Sequence, residues 1–311
     1  IMSFSSPEII KGLSESLAGR IATVEMSPFT TTESYDKNQS ELYPLITSGK
    51  ATKEQLLKLQ PIVSPQQVLN SWYKGGFPEP FIESKENPDF YYQWMENYIH
   101  NYITRDIRSL FPKLNIHNYR RFLSLLAQFS GHQLNMSTIS RALEISIPTV
   151  KDYLEIIHQT FIWRNLRPFE KNSAKKIQKA NKGFFRDQGI LHYLLKIRDA
   201  EDLLIHPVAG YSFESFVIEE LIRGFQSTMA TQLEYTYYRT IDKSEVDLII
   251  EGNFGIIPVE VKLGSSIKRR SLNALNKLIK EMDLDYGLVI NRSKRIEQLS
   301  EKIIQIPIHY I

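Results

Sequence analysis

Residues 244–263 read SEVDLIIEGNFGIIPVEVKL. Side chains of an extended chain alternate between two faces. In the stretch 258–263, Val259, Val261 and Leu263 therefore share one face, and Glu260 and Lys262 share the other. Glu245–Ile250 reads as the preceding strand, EGNFG (251–255) as a hairpin turn, and Ile256–Lys262 as the returning strand. Such a hairpin folds Asp247 back toward Glu260 across the sheet.

The flanking segments extend this unit. Phe213–Phe225 has the apolar spacing of a helix, and Leu233–Arg239 alternates with a tyrosine-rich face. After the hairpin, Ile267–Met282 reads as an amphipathic helix, Tyr286–Asn291 as a buried strand and Ile303–Ile308 as one more. The order α-β-β-β-α-β predicts an α/β unit with a mixed sheet. Glu214, at the start of its first helix, is placed to supply a third carboxylate.

Carboxylates beside a lysine suit a hard cation. Mg²⁺ or Mn²⁺ takes one or two carboxylate oxygens and keeps room for water and phosphate. Such an ion acidifies water and neutralises charge developing on a phosphate, and a lysine orients the attacking water or stabilises that charge. The expected catalytic residues are Asp247, Glu260 and Lys262, and the expected metal ligands are Glu214, Asp247 and Glu260. A bare Glu-Val-Lys is also what any exposed strand produces when charge alternates with valine, so it is the order of elements that gives the motif weight.

Upstream, GGFPEP (75–80) is a turn cluster, with glycines permitting unusual backbone angles and prolines fixing φ. The segment 89–110 carries apolar and aromatic residues at helical spacing, and Asn118–Ser130 is a further amphipathic helix. Ser137–Glu144, a turn at 145–147, and Thr149–Gln159 with Pro148 in its first turn form a helix-turn-helix pattern. The extended stretch Phe161–Phe169 and the piece Gly183–Phe185 follow it, which predicts a winged version. Residues 35–64 read as irregular or short-helical, Ile9–Arg20 as a helix and Ile21–Met26 as a short strand.

Together, LSESLAGRI (13–21), GGFPEP, YITRDI (102–107), GYSFESFVIEEL (210–221) and the hairpin with its Asp-x12-Glu-x-Lys spacing resemble one family. It is the bacterial and archaeal AAA+-type ATPases that carry a C-terminal domain of unknown function similar to PD-(D/E)XK nucleases. The resemblance covers the whole chain. It implies an α/β multidomain protein, with a remnant of the ATPase domain over 1–70, a helical linker or lid over 71–117, a winged-helix-like domain over 118–205 and a nuclease-like domain over 206–311. The family's Walker motifs are missing. The stretch Thr47–Thr52 (TSGKAT) lacks the G-x-x-x-x-G-K-[ST] pattern and follows no buried strand, so no nucleotide-binding residue is assigned. Phe4 stands where the family usually has glycine. The chain is expected to be the part downstream of the Walker motifs.

Two readings of function stay open. One is a DNA-processing enzyme with metal-dependent phosphodiester hydrolysis. The alternative is a non-catalytic DNA-binding or protein-interaction module derived from an ATPase. The expected partner is DNA, with self-association as a second contact. Lys268, Arg269 and Arg270, just after the site, and Arg164 and Arg167 on the expected wing, are the candidate phosphate contacts. Lys171, Lys175, Lys176, Lys179 and Lys182 continue that stripe, which also reads as a solvated loop. Arg20 reads as a helix-terminal arginine, and Arg105 and Asp106 as a structural pair.

Composition bounds these readings. In 311 residues, 42 % are hydrophobic and 23 % charged, as in ordinary globular domains. The net charge of +3 is too mild to argue nucleic-acid binding on its own. The absence of cysteine excludes disulfides and thiolate chemistry, and fits a reducing, cytoplasmic setting. No run approaches the roughly 18 apolar residues of a membrane span. The seven histidines show no paired ligand spacing.

Overall fold

A computed structural model describes residues 25–170, 180–240 and 244–311. The helix expected at Ile9–Arg20, Phe4, Arg20, most of the strand expected at Ile21–Met26, and Lys171, Lys175, Lys176 and Lys179 lie outside these residues.

The architecture is α/β, with many helices around one mixed sheet. Among the described residues nine strands build it: β1 (His132–Gln133), β2 (Trp163–Pro168), β3 (Lys182–Phe185), β4 (Glu234–Arg239), β5 (Glu245–Gly252), β6 (Gly255–Lys262), β7 (Gly287–Asn291), β8 (Glu297–Ser300) and β9 (Ile303–Pro307). Their spatial order is β1-β3-β2-β4-β5-β6-β7-β9-β8. The pairs β2–β4, β6–β7 and β7–β9 run parallel and the others antiparallel. The sheet thus takes strands from both sides of the helix Ala200–Ile205.

Each face of the β5–β6–β7 region has its own cover. The helix Ala209–Gln226 is buried along most of its length and joins the larger core, which includes Leu248, Ile250, Val259, Val261, Leu288 and Ile304. The shorter helix Asn273–Glu281 covers the other face through Leu275, Leu278 and Ile279, against Val246, Ile249 and Val289. Glycine opens the hairpin between β5 and β6: Gly252 pairs with Gly255, and Gly255 adopts φ +106°. Phe254 at its tip stacks on Phe225 at 5.7 Å, which ties the turn to the buried helix.

Upstream, the helices Met136–Leu143 and Ile147–Gln159 are separate. Glu144 ends the first in a left-handed conformation, and Ser146 caps the second, with proline in its first turn. The sequence predicted helical spacing through 89–110; the chain instead forms an α-helix over Phe90–Asn101 and then a π-helical stretch over Tyr102–Ile107. GGFPEP is half turn and half helix, since Pro78–Glu83 is helical. Gly49 and Lys50 lie just past the helix Leu42–Thr47, with no strand before them among the described residues. Among the described residues no helix is long and apolar enough to cross a membrane.

Candidate functional site

The site lies where β5 changes phase. Thr236 pairs with Ile249 but Tyr238 pairs with Val246, so Tyr237 faces both Asp247 and Leu248. One extra residue on β5 is a β-bulge, a device that re-aims a side chain. The core records the phase change: Leu248 and Ile250 belong to the larger cluster, while Val246 and Ile249 belong to the smaller. The β5–β6 ladder also ends here, at Leu248↔Val259. Freed from regular pairing, Asp247 turns its carboxylate between the strands, and its Oδ2 accepts the Val261 N–H at 2.8 Å.

Two clusters of charge meet at Asp247. On one side, the Lys262 ammonium donates to Glu260 Oε1 and lies 3.9 Å from Asp247 Oδ2. On the other, Lys182 donates to Glu214 and, at 2.6 Å, to Glu245, and lies 3.9 Å from Asp247 Oδ1. Arg239 adds a rim contact, 3.5 Å from Glu245 Oε2. Glu214 comes from the second turn of the helix Ala209–Gln226, and Glu245 stands two residues before Asp247 on β5.

Burial makes the cluster electrostatically tense. Burial first, and then the Asp247 charge, raise the Glu214 carboxyl; Lys182 pulls it back, and the net is a pKa of about 8. Glu260 is also held well above the usual carboxylate range, by burial first and then by Asp247. Its Oε2 is buried and has no hydrogen-bond partner among the described residues. For Lys182, burial favours the neutral amine, but Glu214, Asp247 and Glu245 outweigh it and hold the ammonium charged.

The donor set fits a divalent cation. One oxygen each from Glu214, Glu245 and Asp247 lies within 4.8 Å of the others. Ligands on one ion, each roughly 2.0–2.6 Å from it, span about that separation. Carboxylate oxygens alone select hard ions such as Mg²⁺ or Mn²⁺.

The sequence-derived residues are distributed as follows. Asp247, Glu260 and Lys262 are neighbours at the ends of β5 and β6, with Glu214 on the far side of Lys182. The close carboxylate triad takes Glu245 in place of the expected Glu260. Glu245 was legible in principle, since it shares strand parity with Asp247. Lys182 was read as part of an exposed stripe; it is buried in the cluster. Nothing local signals this, because its carboxylate partners lie 32 to 65 positions downstream. Tyr237 helps to place it: its hydroxyl donates to the Ala180 carbonyl at 2.6 Å, fixing the entry to β3, which Lys182 begins.

Arg164 is drawn inward too. It pairs with Glu219, on which Arg186 (3.7 Å) and Arg223 (3.8 Å) also converge. A guanidinium held in this way is not presented to a phosphate. Arg167, Lys268 and Arg270 are exposed, the last two just beyond β6; the Arg269 side chain lies outside the description. Arg105 and Asp106 pair at 2.8 Å on the exposed side of the π-helical stretch.

Fold and cluster together define an α/β module with a buried carboxylate–lysine site. Residues 209–311 match the family described as a domain of unknown function (DUF4143), and residues 65–201 match one described as a domain of unknown function (DUF8612). Lys182 belongs to the second stretch, and the four carboxylates and Lys262 to the first. Uncharacterized proteins of Mycobacterium tuberculosis and Mycobacterium bovis are each 26 % identical to this chain over 311 residues. The alignment takes in 99 % of the chain but 61 % of each relative's length.

Proposed function

We propose that this chain carries a PD-(D/E)XK-type site for metal-dependent hydrolysis of DNA phosphodiesters. The observation that carries the reading is the meeting of Glu214, Glu245, Asp247, Glu260 and Lys262 around the bulge of β5. Glu214, Glu245 and Asp247 would hold Mg²⁺ or Mn²⁺, with Glu260 as a further oxygen donor. A bound divalent ion supplies Lewis acidity, neutralising charge that develops on the phosphate and acidifying water. Lys262, half-exposed beside Asp247 and Glu260, orients the attacking water or stabilises the phosphate in the transition state. The exposed Lys268 and Arg270 contact the nucleic-acid backbone, and Arg167 is a more distant phosphate contact. The helices Met136–Leu143 and Ile147–Gln159, with β2 and β3 after them, act as a winged-helix-like element. The resemblance to AAA+-associated proteins supports work alongside an ATPase module.

The test is cleavage of single-stranded, duplex and branched DNA by purified protein with either metal. Slow, Mn²⁺-dependent cutting that Lys262→Ala abolishes is expected. If every substrate stays intact with both metals, the catalytic reading fails. A second reading, a non-catalytic interaction module, is favoured by one observation: Lys182 already neutralises part of the cluster without any metal. DNA retention without cleavage would support it.

A further inference from the structure

Lys182 reaches the carboxylates from a different part of the chain and is buried where it does so, with its side chain only 5 % exposed. Its ammonium lies among the oxygens of Glu214, Glu245 and Asp247, the same three groups whose spacing suits one divalent ion. Nζ is 2.6 Å from Glu245 and closer still to Glu214. An ion 2.0–2.6 Å from those oxygens would fall on or beside Nζ. Two cations cannot share that space, and like charges so close repel strongly in a buried setting.

The opposite edge of the cluster is under-filled. Glu260 Oε1 accepts from Lys262, but its buried Oε2 has no partner among the described residues. An unpartnered carboxylate oxygen in the interior is costly. The cluster therefore has spare oxygen ligands on one side and a lysine at its centre.

We propose that Lys182 is a built-in counter-cation that stands in for the metal, and that a divalent ion enters the site only by displacing it. This rests on the metal reading above. Lys182 holds the three neighbouring carboxylates of Glu214, Glu245 and Asp247 together when no ion is bound, so the fold does not depend on metal. The same contact sets the metal affinity, because the ion must break the bonds from Nζ to Glu214 and Glu245 before it gains those oxygens. Since Lys182 begins β3, its release also loosens one strand end from the Glu214 helix.

The experiment is calorimetric titration of Mn²⁺ into the wild-type chain and into Lys182→Met, together with NMR of lysine-¹⁵N-labelled wild type during Mg²⁺ titration. Three results are expected. Lys182→Met binds Mn²⁺ at least tenfold more tightly. Its melting temperature is lower than wild type without metal and rises further when Mn²⁺ is added. The protected Lys182 ammonium resonance of the wild type is lost to solvent exchange at Mg²⁺ saturation. Equal or weaker Mn²⁺ binding by Lys182→Met overturns the proposal, as does a Lys182 resonance that stays protected at saturation; in both cases the metal site itself stands. If neither protein binds Mn²⁺, the metal reading falls and this proposal with it. The NMR arm needs no variant, so it decides the matter even if Lys182→Met does not fold.

Discussion

Asp247 accepts the Val261 amide hydrogen through Oδ2 at 2.8 Å, one residue beyond the last paired rung of the β5–β6 hairpin. A side chain here takes the place of a strand carbonyl. The same carboxylate contributes to the charged site, so structure and chemistry are coupled at one residue. Asp247→Ala should leave the buried Val261 N–H unsatisfied, at a cost of about 1–3 kcal/mol. Asp247→Asn keeps an acceptor oxygen and should cost less. Urea unfolding of both variants checks this; equal losses would mean that the hydrogen bond carries no weight.

Arg164, Arg186 and Arg223 converge on Glu219 inside the protein. Burial alone would raise its pKa, yet Arg164 and Arg186 outweigh burial and hold it below the usual range. Removing one partner of a buried ion pair strands the other, typically at about 3–5 kcal/mol. Glu219→Gln strands Arg164 and takes one of two carboxylate partners from Arg186, which keeps Glu25, and from Arg223, which keeps Glu220. Its melting temperature should fall by more than that of Glu155→Gln on the exposed face of the helix Ile147–Gln159; equal melting temperatures would show the network to be idle.

His192 is fully buried, with Nδ1 2.8 Å from the Tyr73 carbonyl and Nε2 2.7 Å from the Ser212 hydroxyl. Burial lowers its pKa from 6.5 to about 4. The unfolded chain takes up a proton below pH 6.5 and the folded chain does not until about pH 4, so stability is lost as pH falls through that window. Between pH 7 and pH 5 the wild type should lose about 2 kcal/mol more than His192→Gln. Urea midpoints at the two pH values measure the difference, and parallel losses in both proteins would refute the assignment.

Gly75 and Gly76 allow close backbone approach in the GGFP turn. Gly75 has φ +75°, and a Cβ there would meet Asp187 Oδ1 at 2.3 Å. A Cβ on Gly76 would meet the Phe29 carbonyl oxygen at 2.2 Å. Asp187 is itself committed, accepting from Gly76 N at 2.8 Å and capping the helix Gln188–Leu194. Gly76→Ala should therefore destabilise by about 1–3 kcal/mol through overpacking, whereas Gly210→Ala, with open space around it, should not. Differential scanning calorimetry of the pair compares them directly; indistinguishable melting temperatures would count against the steric account.

The readable part of the site was local. Parity along 258–263 put Glu260 and Lys262 together, and the glycines of EGNFG marked the hairpin that returns Asp247's strand. The bulge at Asp247 was not readable, because it is a mismatch of register between β4 and β5 and leaves no signature in either strand alone. Arg164 shows the same limit. Its alternating strand was evident, but its partner Glu219 lies 55 positions away, and only packing decides whether such an arginine faces water or a carboxylate.

The sequence by itself determined the elements: their order, the mixed sheet, the hairpin and the faces its charged residues share. These follow from periodicities of a few residues and from the backbone freedom of glycine. Tertiary structure alone decided which charges are satisfied and which are confined. Lys182, Glu214, Glu245 and Asp247 come from three separate segments, and their protonation and pairing depend on shared burial. A low-dielectric interior strengthens every charge contact within it, so the chemistry of this cluster exists only once the segments have met.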